Sequence, residues 1–343
     1  MPKICKFKKI NYKIYICFFL IYLSFYLNKN FNNNKKIFQV HENANLSHYE
    51  KSILLYPKLD EIKLNYSGKC GEIFKYKKNN KRDLVFFSYK YTEFYFERSF
   101  FIYNVINSFK KNIPNAKIVC FVQEDSINSL VAQLLQKNNV SIIMERNISK
   151  MEIANTRFLY EYEYLRKNIN LFDRVVHADL TDIFFLSDVF RTLKPNELII
   201  NKECGENSVF GEKGNYILQH PVVIQWFNRS FGENETLVNI FKRVNPMLIN
   251  CGLIMGDSKE YLKFLKVMKN NFNYTKALDY GYEQMLINVL YYTGQFNEIN
   301  LKFDLCTQRS CFTPILIFDK DNKSLYYKNG CSPVVIHKSY PTK

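Results

Sequence analysis

Apolar residues gather into short unbroken runs at Leu84–Ser88 (LVFFS), Ala116–Gln123 (AKIVCFVQ), Val140–Met144, Asp173–Phe185 and Leu198–Asn201. Runs of that length without polar alternation predict strands covered on both faces. The segments between them carry a different period. Glu93–Phe109 places Phe96, Phe100, Tyr103 and Ile106 at helical spacing, Ser126–Lys137 opens on a capping serine, and Met151–Lys167 reads as a longer helix. Strand alternating with helix four times predicts a parallel α/β sheet. The second half is less regular. Val222–Phe231 is apolar around Trp226, Met247–Gly256 is strand-like but broken by glycines, and Lys259–Phe272 and Tyr280–Tyr292 read as helices. Val334–His337 is a last strand ending in histidine, and no internal repeat interrupts the order.

The N-terminus follows another rule. Lysines at positions 3, 6, 8, 9 and 13 precede an uncharged apolar run, Ile14–Leu27, which Asn28, Lys29 and Asn30 close. The run is short against the ~20 residues of a typical span. Ile10 and Tyr12 extend it, with Lys13 able to snorkel to the interface. Ser24-Phe25-Tyr26-Leu27 is too bulky for a signal-peptidase site. Positive charge before the run predicts a cytosolic tail (1–13), a signal-anchor helix (14–27) and everything after it in the secretory lumen. A cleaved signal and a buried soluble helix are the rival readings. Residues 28–81, rich in Asn and Lys, read as a stem, with a folded domain over 82–343.

Composition changes this picture little. Hydrophobic content of 47% allows a large core. The net charge of +16 comes from lysine spread along the chain with Asn, Ile, Tyr and Phe, without an arginine-rich patch, so it does not point to nucleic acid. Asn-X-Ser/Thr acceptors at Asn45, Asn65, Asn139, Asn147, Asn228, Asn234, Asn273 and Asn322 fit a lumenal domain, weakly in so Asn-rich a chain. Of nine cysteines, Cys5 and Cys17 fall in the tail and anchor. The rest are odd in number, so one at least stays free, and Cys120 in its apolar strand is the best candidate. Their pairing is not legible, and no CxxC suggests zinc.

The candidate chemistry starts at Asp173–Phe190 (DRVVHADLTDIFFLSDVF), where a strand delivers Asp179 and Asp182. Ligands of open α/β sheets bind outside such strand ends, and carboxylates suit Mg²⁺ or Mn²⁺. Residues three apart on a continuous strand face opposite ways. The two acids share one ion only if the chain turns at Leu180-Thr181; otherwise they cap a turn. Glu203 follows the fifth strand as a further candidate, and Tyr89 and Tyr91 follow the first as candidates to stack a nucleobase. No GxGxxG or GxxxxGK[ST] is present, which argues against a dinucleotide site and a P-loop.

Four motifs in order resemble nucleotide-sugar glycosyltransferases of the GT-A type, and in particular the transferases that carry Asp-x-x-Asp rather than Asp-x-Asp. They are DLTDIFF (179–185) with DVF (188–190), Asn250-Cys251-Gly252-Leu253-Ile254-Met255-Gly256, Glu283-Gln284 with Asn288, and His337. Glu283 stands where such families usually have aspartate, and Lys338 follows the histidine where they vary. Over roughly residues 82–343 the resemblance implies a GT-A fold, a Rossmann-like mostly parallel sheet with helices on both faces. It implies a UDP- or GDP-sugar donor and Mn²⁺ or Mg²⁺ held by Asp179, Asp182 and His337. Arg157 would contact phosphate or ribose, Asn250 and Gly252 the donor sugar, and Glu283 would act as catalytic carboxylate; Glu203 joins it as a catalytic candidate only from its place after the fifth strand. Each has a plainer alternative: a core histidine for His337, backbone conformation for Gly252, helix-surface charges for Glu283 and Arg157. The implied protein is a single-pass type II Golgi or endoplasmic-reticulum glycosyltransferase acting on a glycan, protein or lipid. A non-catalytic glycosyltransferase-like binding or scaffold protein is the second reading. A metal-dependent phosphohydrolase is a third, disfavoured because the five histidines are scattered.

Overall fold

In the computed structural model the described residues are 61–89, 99–123, 129–145, 151, 153–211, 214–319, 321–337 and 340–341. The tail, the anchor and the stem up to residue 60 lie outside them, as does Tyr91. Among the described residues no helix is long and apolar enough to cross a membrane.

The predicted α/β alternation is present. Seven strands form the central sheet: β2 (Asp83–Tyr89), β3 (Lys117–Gln123), β4 (Ser141–Glu145), β5 (Arg174–Ala178), β7 (Leu198–Lys202), β8 (Ile249–Asp257) and β9 (Leu301–Asp304). Their order is β4-β3-β2-β5-β8-β7-β9. All pairs are parallel except those of β8, which runs against both β5 and β7. This is a mostly parallel sheet flanked by helices, compatible with a Rossmann-like architecture.

Strand β2 shows why the runs are unbroken. Phe86 packs towards helix α3 (Ile153–Asn168), its ring 5.6 Å from that of Tyr164. The next residue, Phe87, meets Phe109 of helix α1 (Ser99–Asn112) at 4.7 Å. Successive side chains thus face two apolar layers, and neither position tolerates polarity. Helix α2 (Ser129–Lys137) follows β3. Helices α4 (Pro221–Phe231) and α5 (Glu235–Val244) form a satellite core through Val223, Phe227, Leu237 and Phe241. Helix α6 (Ser258–Asn270) joins α3 over the main core. Helix α7 (Tyr282–Tyr292) is buried from Tyr282 to Leu290, with Glu283, Gln284 and Asn288 buried among its apolar residues.

Two smaller sheets were not foreseen. One joins β10 (Ser310–Phe312), β13 (Val335–His337) and β6 (Ile183–Phe185), in that order. The other joins β1 (Lys63–Leu64), β12 (Ser324–Tyr326), β11 (Ile315–Asp319) and β14 (Tyr340–Pro341). The single strand expected over 173–185 is therefore two, β5 and β6, separated by a turn at Leu180–Asp182.

The stem boundary near Arg82 needs correction. Lys63 and Leu64 pair with Ser324 and Leu325, the Asn65 amide donates to Ser332 Oγ (2.7 Å), and Tyr66 Oη donates to the Pro333 carbonyl (2.6 Å). A disulfide joins Cys70 to Cys331 across a separation of 261 residues, and a second joins Cys306 to Cys311. Residues 61–81 belong to the folded domain. Cys120, Cys204 and Cys251 are buried and form no disulfide among the described residues. Because the Cys70–Cys331 link closes most of the domain into one loop, reducing it removes a large restraint on the unfolded chain. The double variant Cys70→Ser/Cys331→Ser is expected to lose about 2–4 kcal/mol. Denaturant melts of both proteins, with and without reductant, check this; a wild type indifferent to reductant contradicts it.

Candidate metal centre

The two sheets that meet around β5 and β6 assemble the centre. Strand β5 is pinned between β2 and β8, and it ends at Ala178, opposite Leu253. Its last hydrogen bond runs from the Asp179 amide to the Gly252 carbonyl, 2.9 Å. The chain then turns and β6 begins at Ile183. Ile183 is the register partner of His337 on β13. The pairing that extends β6 therefore delivers the histidine, from the far end of the chain, beside Asp182.

Asp179, Asp182 and His337 each offer one ligand atom, and these atoms lie within 4.8 Å of one another. His337 Nε2 is 3.6 Å from Asp182 Oδ1 and 3.7 Å from Asp179 Oδ2. The imidazole is fully buried, and neither ring nitrogen has a hydrogen-bond partner among the described residues. Two carboxylates converging on a buried imidazole make an O,O,N donor set suited to Mn²⁺ or Mg²⁺. The floor of the centre is Gly252. A Cβ there would collide with Asp179 Oδ2 and would lie 2.6 Å from His337 Cε1 and 2.9 Å from Nε2. Only glycine leaves the ligand atoms where they are. Its backbone is in turn held by Asn250, whose Oδ1 accepts from the Gly252 amide at 2.9 Å.

Behind the acids lies a second layer. Arg157 reaches from α3, forms an ion pair with Asp179 Oδ1 through Nη1, and donates to Cys251 Sγ through Nη2 at 3.3 Å. Glu283 Oε1 is 3.5 Å from the same Nη2. Burial opposes the guanidinium charge, but Asp179, Cys251 and Glu283 outweigh it and hold Arg157 protonated well above its ordinary range. Burial is also the largest influence on Glu283 and raises its pKa, with Arg157 acting in the other direction. The arginine thus leaves Asp179 Oδ2 on the His337 side while neutralising Oδ1.

The remaining candidates are placed as follows. Arg157, expected to contact phosphate or ribose, is a buried partner of the Asp179 and Glu283 carboxylates. Glu283 is brought to the centre, but on the inner side of Arg157, and is buried rather than a helix-surface charge. Glu203 accepts from Asn250 Nδ2 (3.0 Å), Asn215 Nδ2 (2.8 Å) and Gln284 Nε2 (3.4 Å), so this buried carboxylate orders the support of Gly252. Asn250, expected at the donor sugar, divides its side chain between Glu203 and the Gly252 amide and so supports the floor. Tyr89 is buried at the end of β2. Cys251 was passed over as a site residue, although it sits between two flagged positions, and its thiol also lies 3.6 Å from Glu283 Oε1 and 3.5 Å from Gln284 Oε1.

No protein-family model matches this sequence, and no curated protein matches it.

Proposed function

We propose that the protein is a divalent-metal-dependent glycosyltransferase of GT-A type, which moves a sugar from a UDP- or GDP-sugar to an acceptor in the secretory lumen. The observation that carries this reading is the convergence of Asp179, Asp182 and His337 at the carboxyl end of β5, the edge at which open α/β sheets in general bind ligands. The residues fit an ion: a buried imidazole, without a hydrogen-bond partner among the described residues, faces two carboxylates over a glycine that leaves them room. Asp179, Asp182 and His337 would hold Mn²⁺ or Mg²⁺. A bound divalent ion neutralises charge on a diphosphate leaving group. Arg157 pairs with Asp179 Oδ1 and so leaves Oδ2 as the oxygen that points to His337. Gly252, braced by Asn250 and Glu203, keeps the space open. Two disulfides favour an oxidising compartment, and the signal-anchor reading of residues 14–27 agrees with it.

A non-catalytic glycosyltransferase-like binding protein is the second reading. One observation favours it: Glu283 and Glu203, the carboxylates read as catalytic, are both buried and engaged by protein partners. Hydrolysis of UDP- and GDP-sugars with Mn²⁺ separates the readings. The expected result is turnover in the wild type, lost in Asp182→Ala and unchanged in a surface variant such as Lys194→Ala. Equal rates in wild type and Asp182→Ala would overturn the assignment of the centre. Calorimetric donor binding without turnover would favour the second reading.

A further inference from the structure

We propose that Asn273 carries an N-linked glycan, added from a lipid-diphosphate-linked oligosaccharide. This rests on the lumenal placement proposed above. The acceptor sequence is Asn273-Tyr274-Thr275, in the exposed loop between α6 and α7. Asn273 Oδ1 accepts two hydrogen bonds from Thr275, one from its amide (2.9 Å) and one from Oγ1 (2.7 Å). Both bonds fall on the oxygen, so the carboxamide nitrogen is the end left to solvent, and among the described residues Nδ2 has no hydrogen-bond partner. The hydroxyl that the transfer needs is already on the acceptor amide. The loop itself is held in place. The Asn273 amide donates to Tyr282 Oη at 2.7 Å, and Asn155 Nδ2 donates to the carbonyls of Ala277 and Asp279. Tyr274, the middle residue of the acceptor sequence, is 55% exposed, with its ring edge-on to that of Phe272 at 5.1 Å.

The other described acceptors differ. Asn65 Nδ2 donates to the Gly330 carbonyl at 2.9 Å and lies beside the Cys70–Cys331 disulfide. Asn322 Nδ2 donates to Asp319 Oδ2 at 2.8 Å. Asn228 lies inside helix α4 and its acceptor serine, Ser230, is buried. Asn139 precedes a buried Val140 and a serine paired into strand β4. Asn234 uses its side-chain oxygen to cap α5 through the Leu237 amide, away from its acceptor threonine.

In the transfer, Asn273 Nδ2 bonds to the anomeric carbon of the donor. That carbon's bond to the diphosphate oxygen breaks, the lipid diphosphate leaves with the electron pair, and one amide proton passes to a base of the oligosaccharide transferase. The test is production of the full chain in a eukaryotic secretory host. Peptide-N-glycosidase digestion in heavy-oxygen water then marks each carrier asparagine as labelled aspartate, read by mass spectrometry. The expected result is label at Asn273, lost in Asn273→Gln and Thr275→Ala and retained in Thr275→Ser. That pattern also separates loss of the acceptor from loss of folding. Label at other acceptors with Asn273 unmodified would overturn the proposal and leave the lumenal placement intact. No label at any acceptor would remove the lumenal placement and the proposal with it.

Discussion

Mn²⁺ is expected to raise the unfolding temperature of the wild-type protein, and His337→Leu is expected to abolish that rise without destabilising the metal-free protein. The two effects have one cause. His337 is fully buried, and neither ring nitrogen has a hydrogen-bond partner among the described residues. A buried polar group in that state costs about 1–3 kcal/mol. An ion between the imidazole and the acids, 3.6 and 3.7 Å away, would remove that cost. At a hundredfold excess over its dissociation constant such an ion adds about 2.7 kcal/mol of stability. Leucine fills similar space with no polar atom, so the metal-free variant should match the wild type or exceed it by up to about 3 kcal/mol. Asp182→Asn should keep the shape of the turn and weaken Mn²⁺ binding by more than about 100-fold, beyond what loss of a supporting hydrogen bond costs. Calorimetric titration and thermal melts with and without Mn²⁺ read both. If His337→Leu unfolded more easily than the metal-free wild type and kept the Mn²⁺ shift, the histidine would be a packing residue.

Strands β2, β3, β5, β7 and β8 were legible because they are buried on both faces, so the period of their apolar runs is dictated locally; β9, a partly exposed strand at the sheet edge, has no such run and was missed. The turn between Asp179 and Asp182 was legible only as the condition for the two acids to share an ion: they interrupt an apolar run that resumes at Ile183, and burying either acid in mid-strand would be costly. The placement of His337 was not legible from its own neighbourhood. It depends on β13 pairing with β6, and three-residue strands carry too little pattern to reveal their partners. The same holds for β1 with β12, which is why residues 61–81 read as spacer although Cys70 stood among them. Arg157 misled for a different reason. Helix α3 buries Asn155, Thr156, Arg157 and Glu161 together with Phe158 and Leu165. A polar face turned inward towards a charged centre looks, by composition, like a face turned to water. Arg157 followed by Phe158, with Glu161 one turn on, was the available signal that this face was not solvated.

Gly252→Ala is expected to abolish Mn²⁺ binding while costing the fold only about 1–3 kcal/mol, the usual range for an overfilled site. The backbone at Gly252 is not in the left-handed region, so alanine meets no conformational penalty there. Its methyl would instead fall against Asp179 Oδ2 and within 2.6 Å of His337 Cε1. One of the two must move. Asp179 is tethered by Arg157 through its other oxygen, and His337 is fixed by the β13–β6 pairing. Displacement of either opens the donor set, and a ligand misplaced by an ångström is enough to lose an ion that needs all three. Gly256→Ala on the same strand is the control. Its φ of +155° and the 2.9 Å approach of a Cβ to Leu198 Cα predict a loss of stability from backbone strain and crowding, far from the acids. Retained Mn²⁺ affinity in the folded Gly256→Ala protein and lost affinity in folded Gly252→Ala would separate damage to the centre from damage to the sheet. Equal Mn²⁺ affinity in Gly252→Ala and wild type would show that the floor beneath the three ligands can yield, and that the convergence of Asp179 and His337 is not what holds an ion.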